Sequence, residues 1–286
     1  MKNPSLKISR RRFLGGVSVA AVGTLGYARF FEAERLQTTH FTVPLSANAS
    51  GNEPLKLLHL SDLHASPVVS LDYIGTAIER GLAWKPDVIC VTGDFITQRL
   101  SAAEDYARVL RRLSSAAPCF ATLGNHDGGR WAREIGGGYP DVEWVTKLLR
   151  ASNITLLHNT ATNVRLGSRE IQFVGVGDTW ADHLDPAAAF RTASATTPTI
   201  LLSHNPDSKS DVAQYDWNLM LSGHTHGGQL RVPCLGMTSF APVRDKRFVE
   251  GLHAWNDRWI HVTKGIGTVY GLRINCPPEI SFLTLT

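Results

Sequence analysis

The stretch Leu55-Lys56-Leu57-Leu58-His59-Leu60-Ser61-Asp62-Leu63-His64 runs an apolar segment of strand length straight into a carboxylate and an imidazole. The same join recurs four times. Asp87–Thr92 leads into Gly93-Asp94, and Cys119–Leu123 into Gly124-Asn125-His126-Asp127. Thr199–Ser203 leads into His204-Asn205-Pro206, and Leu219–Leu221 into Gly223-His224-Thr225-His226-Gly227-Gly228-Gln229. Several of these runs are continuously apolar rather than alternating, as expected of strands buried on both faces. Ile171–Val176 reads as a further strand. Helix-like segments lie between: Ser70–Trp84, with Leu71, Ile74, Ala77, Ile78 and Leu82 on one face and Pro86 beyond its end, then Ser101–Leu113 and Asp141–Leu149. Strand alternating with helix predicts an α/β layered fold with helices outside. Ligands of such sheets gather at the carboxyl ends of strands, where each of these five polar segments falls. Glycine and asparagine neighbours let the backbone turn sharply there. From Gly251 to Thr286 the pattern turns to β-strands, Trp259–Val262 and Ile280–Leu285 above all, and no internal repeat or second hydrophobic domain is visible.

A chain of 286 residues, 43% hydrophobic and 19% charged, can bury a large core and belongs with globular rather than disordered proteins. Its formal charge of +4 is local. Lys2, Lys7, Arg10, Arg11 and Arg12 lie in the first thirteen residues, which hold no acid; taking these five from 29 leaves 24 basic against 25 acidic residues. The body therefore has no basic excess to argue for nucleic acid. Cys90, Cys119, Cys234 and Cys276 form no CxxC pair, which speaks against a disulfide framework or a thiolate metal site. Cys90 and Cys119 sit in apolar runs and read as small buried hydrophobes.

Ser9-Arg10-Arg11-Arg12-Phe13-Leu14 resembles the twin-arginine export motif. The mildly apolar stretch Phe13–Ala28 behind it fits a bacterial signal region, while its glycines leave it short of the about 20 apolar residues of a membrane span. Gly26-Tyr27-Ala28 is a poor cleavage site, so the segment reads as a signal or a retained anchor. Residues 1–28 are thus expected to be an address, 29–51 a linker with a strand at His40–Leu45, and 52–286 the catalytic domain. The twin-arginine translocase is an expected partner, membrane association is open, and the expected location is periplasmic or membrane-anchored, facing outside the cytoplasm.

Carboxylates, imidazoles and one carboxamide in this order suit two adjacent divalent cations. A carboxylate can bridge cations at the ~3.5–4 Å separation of two-metal sites. His-x-His on a tight turn presents two imidazoles, and a neutral Asn oxygen adds a ligand without charge. The mixed nitrogen and oxygen set, without sulfur, suits Mn, Fe or Zn better than Mg or Ca.

The five segments, in this order, resemble the calcineurin-like metallophosphoesterase superfamily. The likeness extends through Ser203-His204-Asn205-Pro206-Asp207, Gly227-Gly228-Gln229-Leu230-Arg231, Phe240-Ala241-Pro242-Val243 and Tyr270-Gly271-Leu272-Arg273, covering nearly all of residues 52–286. It implies a four-layer αββα sandwich with two central mixed sheets. It also implies that Asp62, His64, Asp94 and His226 hold one metal, and that Asp94, Asn125, His204 and His224 hold the second, with Asp94 bridging. His126, outside the ligand set, is then expected to face the leaving group as proton donor, with Asp127 orienting its imidazole. Metal coordination lowers the pKa of water toward 7, which supplies a hydroxide nucleophile, and the cations neutralise charge developing on the phosphoryl oxygens.

One departure narrows the class. Serine/threonine phosphatases of the superfamily follow the bridging aspartate with Asp-Arg-Gly, which Asp94-Phe95-Ile96-Thr97-Gln98-Arg99 lacks. A phosphodiesterase acting on envelope or lipid-linked phosphodiesters or pyrophosphates is therefore expected, rather than a protein phosphatase. Relatives in this branch cleave UDP-2,3-diacylglucosamine, an alternative that needs the domain to face the cytoplasm. A non-catalytic envelope protein of the same fold should have lost ligands or the proton donor, yet all eight positions are intact. A metallo-β-lactamase-type hydrolase needs H-x-H-x-D-H, which His224–Gly228 does not provide. Arg231 and Arg273 are candidate phosphate contacts, because arginine forks match phosphate oxygens; with Arg244 and Lys246 they read more simply as solvated or structural charges. His40, His59, His158, His183, His253 and His261 read as structural or exposed, Asp178 as a strand-end turn, and Trp180, Trp217 and Trp255 as core or rim aromatics.

Overall fold

The computed structural model describes residues 9–45, 53–231 and 240–286; Lys2, Lys7 and Cys234 lie outside the described residues. Two six-stranded sheets face each other. The first runs β1 (Gln37–Val43), β12 (Glu279–Leu285), β2 (Leu55–Leu60), β3 (Val88–Thr92), β4 (Cys119–Thr122) and β5 (Thr155–Leu156). The second runs β10 (Gly251–Trp255), β11 (Arg258–Val262), β9 (Leu219–Ser222), β8 (Thr199–Leu202), β7 (Arg169–Gly175) and β6 (Thr160–Leu166). Both are mixed: β12–β2, β10–β11 and β6–β7 pair antiparallel, and the pairs through β2–β3–β4 and β7–β8–β9–β11 are parallel.

Apolar side chains from both inner faces, among them Leu57, Phe120, Phe173, Ile200, Leu221 and Leu283, fill the space between the sheets. Burial on both faces explains why these strands are apolar throughout. Outside the first sheet, α2 (Leu71–Leu82), α3 (Ala103–Ala116) and α4 (Glu143–Ala151) bury Ile74, Ile78, Leu110, Leu113, Leu148 and Leu149. The first of these helices is started by the Ser70 hydroxyl, which accepts from the Tyr73 N–H at 3.2 Å. Outside the second sheet the cover is thinner. The short helix α5 (Pro186–Phe190) and irregular segments seal it with Val212, Trp217 and Phe248. The expected αββα sandwich is present, its fourth layer mostly turns.

Three differences from expectation have physical causes. Strand β1 begins three residues before His40, because its partner is the carboxy-terminal strand, pairing Gln37 with Glu279 through Val43 with Leu285. Strands β6 and β10 stand at sheet edges, half-exposed, and lack the continuous apolar run that marks a buried strand. At the amino end, helix α1 (Arg10–Phe30) carries its glycines inside one unbroken helix capped by Ser9. It is long and apolar enough, by length and composition, to cross a membrane, a test that signal sequences also pass.

Candidate metal centre

The carboxyl ends of β2, β3, β4, β8 and β9 converge on one edge of the sandwich. There the chain turns with left-handed backbone at Asp62 (φ 52°), His64 (φ 50°), Asp94 (φ 54°), His224 (φ 67°) and His226 (φ 48°). Such geometry is costly for residues with a Cβ and persists where surrounding structure enforces it, typically at functional sites. Glycines make the room. A Cβ at Gly223 would collide with the Asp62 carboxylate, and one at Gly124 with the Asp94 carboxylate.

These turns bring together, in two groups, the residues expected to hold two cations. In the first, His64 Nε2 and His226 Nε2 face each other at 3.1 Å, with Asp62 Oδ1 3.3 Å from His226 Nε2. Ligand atoms of Asp62, His64, Asp94 and His226 all lie within 4.8 Å of one another, a cluster able to hold a metal ion. In the second, His224 Nδ1 lies 3.3 Å from His204 Nε2, and the buried Asn125 Oδ1 has no hydrogen-bond partner. Asp94 Oδ2 belongs to both, 3.4 Å from His64 Nε2 and 3.2 Å from His204 Nε2. Facing imidazole nitrogens and a buried acceptor without a donor are what a cation's ligands look like.

Neighbouring groups aim the ligands. The His204 Nδ1–H donates to the Thr92 carbonyl at 2.7 Å, turning Nε2 toward Asp94. His64 Nδ1 lies 3.1 Å from the Thr97 hydroxyl, and the His224 backbone N–H reaches both Asp62 oxygens at 3.1 Å. Burial pushes Asp62 up to about 6 and lowers His224 to about 3, the latter with help from His204. Burial also drives His64 and His226 well below the usual imidazole range, toward the neutral form a metal needs. Burial opposes charge on Asp94 and His204 too, yet their mutual attraction wins: Asp94 is held well below, and His204 well above, the ordinary range.

One sequence expectation needs correction, and two arginines follow the structural reading rather than the phosphate one. Asp127 does not orient His126. Its carboxylate accepts from the N–H groups of Asp94 (2.8 Å), Phe95 (2.7 Å) and Gly124 (2.8 Å), and so shapes the turn that carries Asp94. His126 is instead fixed by Nδ1 donating to the Thr97 carbonyl at 2.9 Å. Arg273 does not reach toward substrate. It is fully buried, and its guanidinium serves the carbonyls of Lys264, Gly267 and Cys276 and stands 3.4 Å from His226 Nδ1. Arg231 likewise donates to the Gly227 carbonyl at 2.6 Å and pairs with Glu250 at 2.6 Å. Both arginines brace the His226 turn from behind.

The structural readings of other residues agree with their surroundings. His59 and His261 meet at 2.9 Å between the sheets, and Asp178 caps the Trp180 and Ala181 N–H groups at a strand end. Cys90, Cys119 and Cys276 are buried and free, without disulfides. In front of the ligands lies a cleft of about 380 Å³, walled by Trp131, Trp180, Leu230, Phe240, Val269 and Tyr270. Trp131 packs on His126 with ring centroids 4.2 Å apart, and Trp180 meets His224 edge-on at 4.4 Å. Trp131 carries no sequence signal, because its neighbours in the chain are not part of any ligand motif.

A family profile, calcineurin-like phosphoesterase, matches residues 55–228. The chain is 41% identical over 282 residues to phosphodiesterase YaeI of Escherichia coli (strain K12), covering 97% of this chain and 99% of that protein. It is 31% identical over 290 residues to the metallophosphoesterase YkuE of Bacillus subtilis (strain 168), covering 98% of both. It is 25% identical over 313 residues to the UDP-2,3-diacylglucosamine pyrophosphatase LpxG of Chlamydia trachomatis, covering 93% of this chain and 94% of that protein.

Proposed function

The chain belongs to the calcineurin-like phosphoesterase family, and from that footing we propose that it is a phosphodiesterase holding two divalent cations and acting on phosphodiesters or pyrophosphates of the cell envelope. The observation that carries this reading is the Asp94 carboxylate oxygen lying between His64 and His204, at 3.4 and 3.2 Å. Asp62, His64 and His226 would complete one coordination sphere, and Asn125, His204 and His224 the other. Their mixed nitrogen and oxygen donors favour Mn, Fe or Zn. When bound, the cations supply the nucleophile from water at neutral pH and offset charge on the phosphoryl oxygens.

The chain's own residues do the rest. With Nδ1 of His126 donating to Thr97, Nε2 is the ring nitrogen free to face the leaving oxygen, and in the imidazolium form it would hand that oxygen a proton. Asp127 fixes the backbone of the Asp94 turn through its three short bonds. Trp131 covers the His126 ring and Trp180 the His224 ring. Ser9–Leu14 would direct export by the twin-arginine route, with α1 as signal or anchor.

A second reading is a pyrophosphatase of the UDP-2,3-diacylglucosamine type. The likeness to LpxG over 93% of the chain and the apolar walls of the cleft favour it. One experiment addresses both. The protein is stripped by chelator, reloaded with Mn, Fe or Zn, and offered bis(p-nitrophenyl) phosphate, p-nitrophenyl phosphate and the UDP-lipid. Metal-dependent hydrolysis of the diester with two ions per chain is the expected result. Activity that survives chelation, or is confined to the monoester, would remove the reading, and preferred cleavage of the UDP-lipid would move it to the second.

A further inference from the structure

The surface of α1 and the rim of the cleft are both apolar, exposed and joined. At ~1.5 Å per residue the 21-residue helix is about 30 Å long, close to the ~30 Å hydrocarbon core of a bilayer. Along it Leu14, Val17, Val19, Val22 and Leu25 are 51–75% exposed. Arg10, Arg11 and Arg12 stand at one end and Arg29 at the other, where arginines flank a membrane-embedded stretch at headgroup level.

Among the described residues, only the last turn of α1 packs on the catalytic body, and the place is specific. Ala28 is buried, and its carbonyl accepts from the Arg273 N–H at 3.1 Å. The Arg29 side chain lies against Gly271, where a Cβ would meet its Nε at 3.1 Å and Val68 Cβ at 3.4 Å. Gly271 follows Tyr270, which lines the cleft and is 77% exposed. Phe240 on the same rim is 54% exposed. The helix therefore leaves the body at the mouth of the cleft.

We propose that the cleft opens onto the bilayer in which α1 is embedded, with Val68, Phe240 and Tyr270 resting in the interface, so that a lipid headgroup enters the site while its acyl chains stay in the membrane. Covering exposed apolar surface is favourable, and a ring with a polar tip such as Tyr270 suits the headgroup level. A bilayer rather than a protein partner fits because helix length and terminal arginines both match a membrane. The orientation deepens the phosphoesterase reading, which supplies the chemistry of the headgroup, but does not depend on turnover.

Depth measurement tests it. The full chain, carrying Cys234→Ser, receives a fluorophore at Tyr270→Cys, Val68→Cys or Ser168→Cys and is reconstituted in vesicles of phosphatidylethanolamine and phosphatidylglycerol with brominated acyl chains. Ser168 is exposed in the β6–β7 turn, at the end of the second sheet remote from the ligands. Labels at 68 and 270 should be quenched, lying within ~5–10 Å of the boundary between headgroups and acyl chains, while the label at 168 stays unquenched. Equal quenching at 168, no quenching at 68 and 270, or failure of the chain to stay with the vesicles would each overturn the orientation. Hydrolysis of bis(p-nitrophenyl) phosphate by the unlabelled chain in the same vesicles reads the activity separately. Quenching at 68 and 270 without turnover would support the orientation and count against the phosphoesterase reading alone.

Discussion

The two halves of the ligand cluster differ in how far protein groups satisfy them. Around Asp62, His64 and His226 nearly every polar atom has a neighbour: the His224 N–H on Asp62, the Thr97 hydroxyl beside His64, and Arg273 behind the His226 turn. Around Asn125, His204 and His224 two buried atoms, Asn125 Oδ1 and His224 Nε2, have none. There the protein's compensation is electrostatic, a proton on His204 against Asp94. Buried polar atoms without partners are destabilising. The first half is therefore preorganised by the fold, whereas in the second an ion must first displace the proton that His204 holds against Asp94. If the two-cation proposal holds, the first ion should be the more tightly held and the second the more exchangeable.

The variant with the largest expected effect removes what the halves share. Asp94→Asn should abolish turnover and leave neither ion at full occupancy in elemental analysis. Two ions retained in that variant would break the idea of a shared carboxylate. Next come the unshared ligands. His224→Ala should lose one ion and the activity, and His64→Ala should lose the other. In the parent protein, graded chelation should remove one equivalent well before the second; simultaneous release would erase the asymmetry. His126→Ala stands outside both halves and should lower turnover roughly 10²–10⁴-fold with both ions in place, on general-acid magnitudes. Loss of metal from that variant would place His126 among the ligands instead.

How much of this is legible in the chain depends on where the interaction partners sit. Leu55–Leu60 and Val88–Thr92 can be read as strands because burial on both faces requires an unbroken apolar run, and the ligands follow from their position at strand ends. Thr160–Leu166 cannot, since an edge strand with mostly exposed or half-exposed residues leaves no such run. The ligand residues are legible, but the left-handed backbone that aims Asp62, His64, Asp94, His224 and His226 is not, because nothing in a non-glycine residue announces it. The roles of Asp127, Arg231 and Arg273 are hidden for a related reason. Their partners are backbone N–H and carbonyl groups, from residues as distant as Asp94 for Asp127 and the His226 turn for Arg273, and every residue type carries those.

The smallest expected effect is the pH dependence of ion affinity, and it separates the halves most cleanly. A bound cation must displace any proton its ligands hold, so affinity rises with pH until the ligand is deprotonated and then levels off. Burial raises Asp62 to about 6, so protons compete in the first half below that pH and cease to compete above it. His204 is raised well above the usual imidazole range, chiefly by Asp94 working against burial, so protons still compete in the second half at neutral pH. Calorimetric Mn titrations from pH 5.5 to 8 should therefore resolve one affinity that flattens above about 6 and another that continues to rise, by up to about tenfold per pH unit for one displaced proton. Parallel pH profiles for the two ions would mean that the His204–Asp94 pair does not set the second half apart.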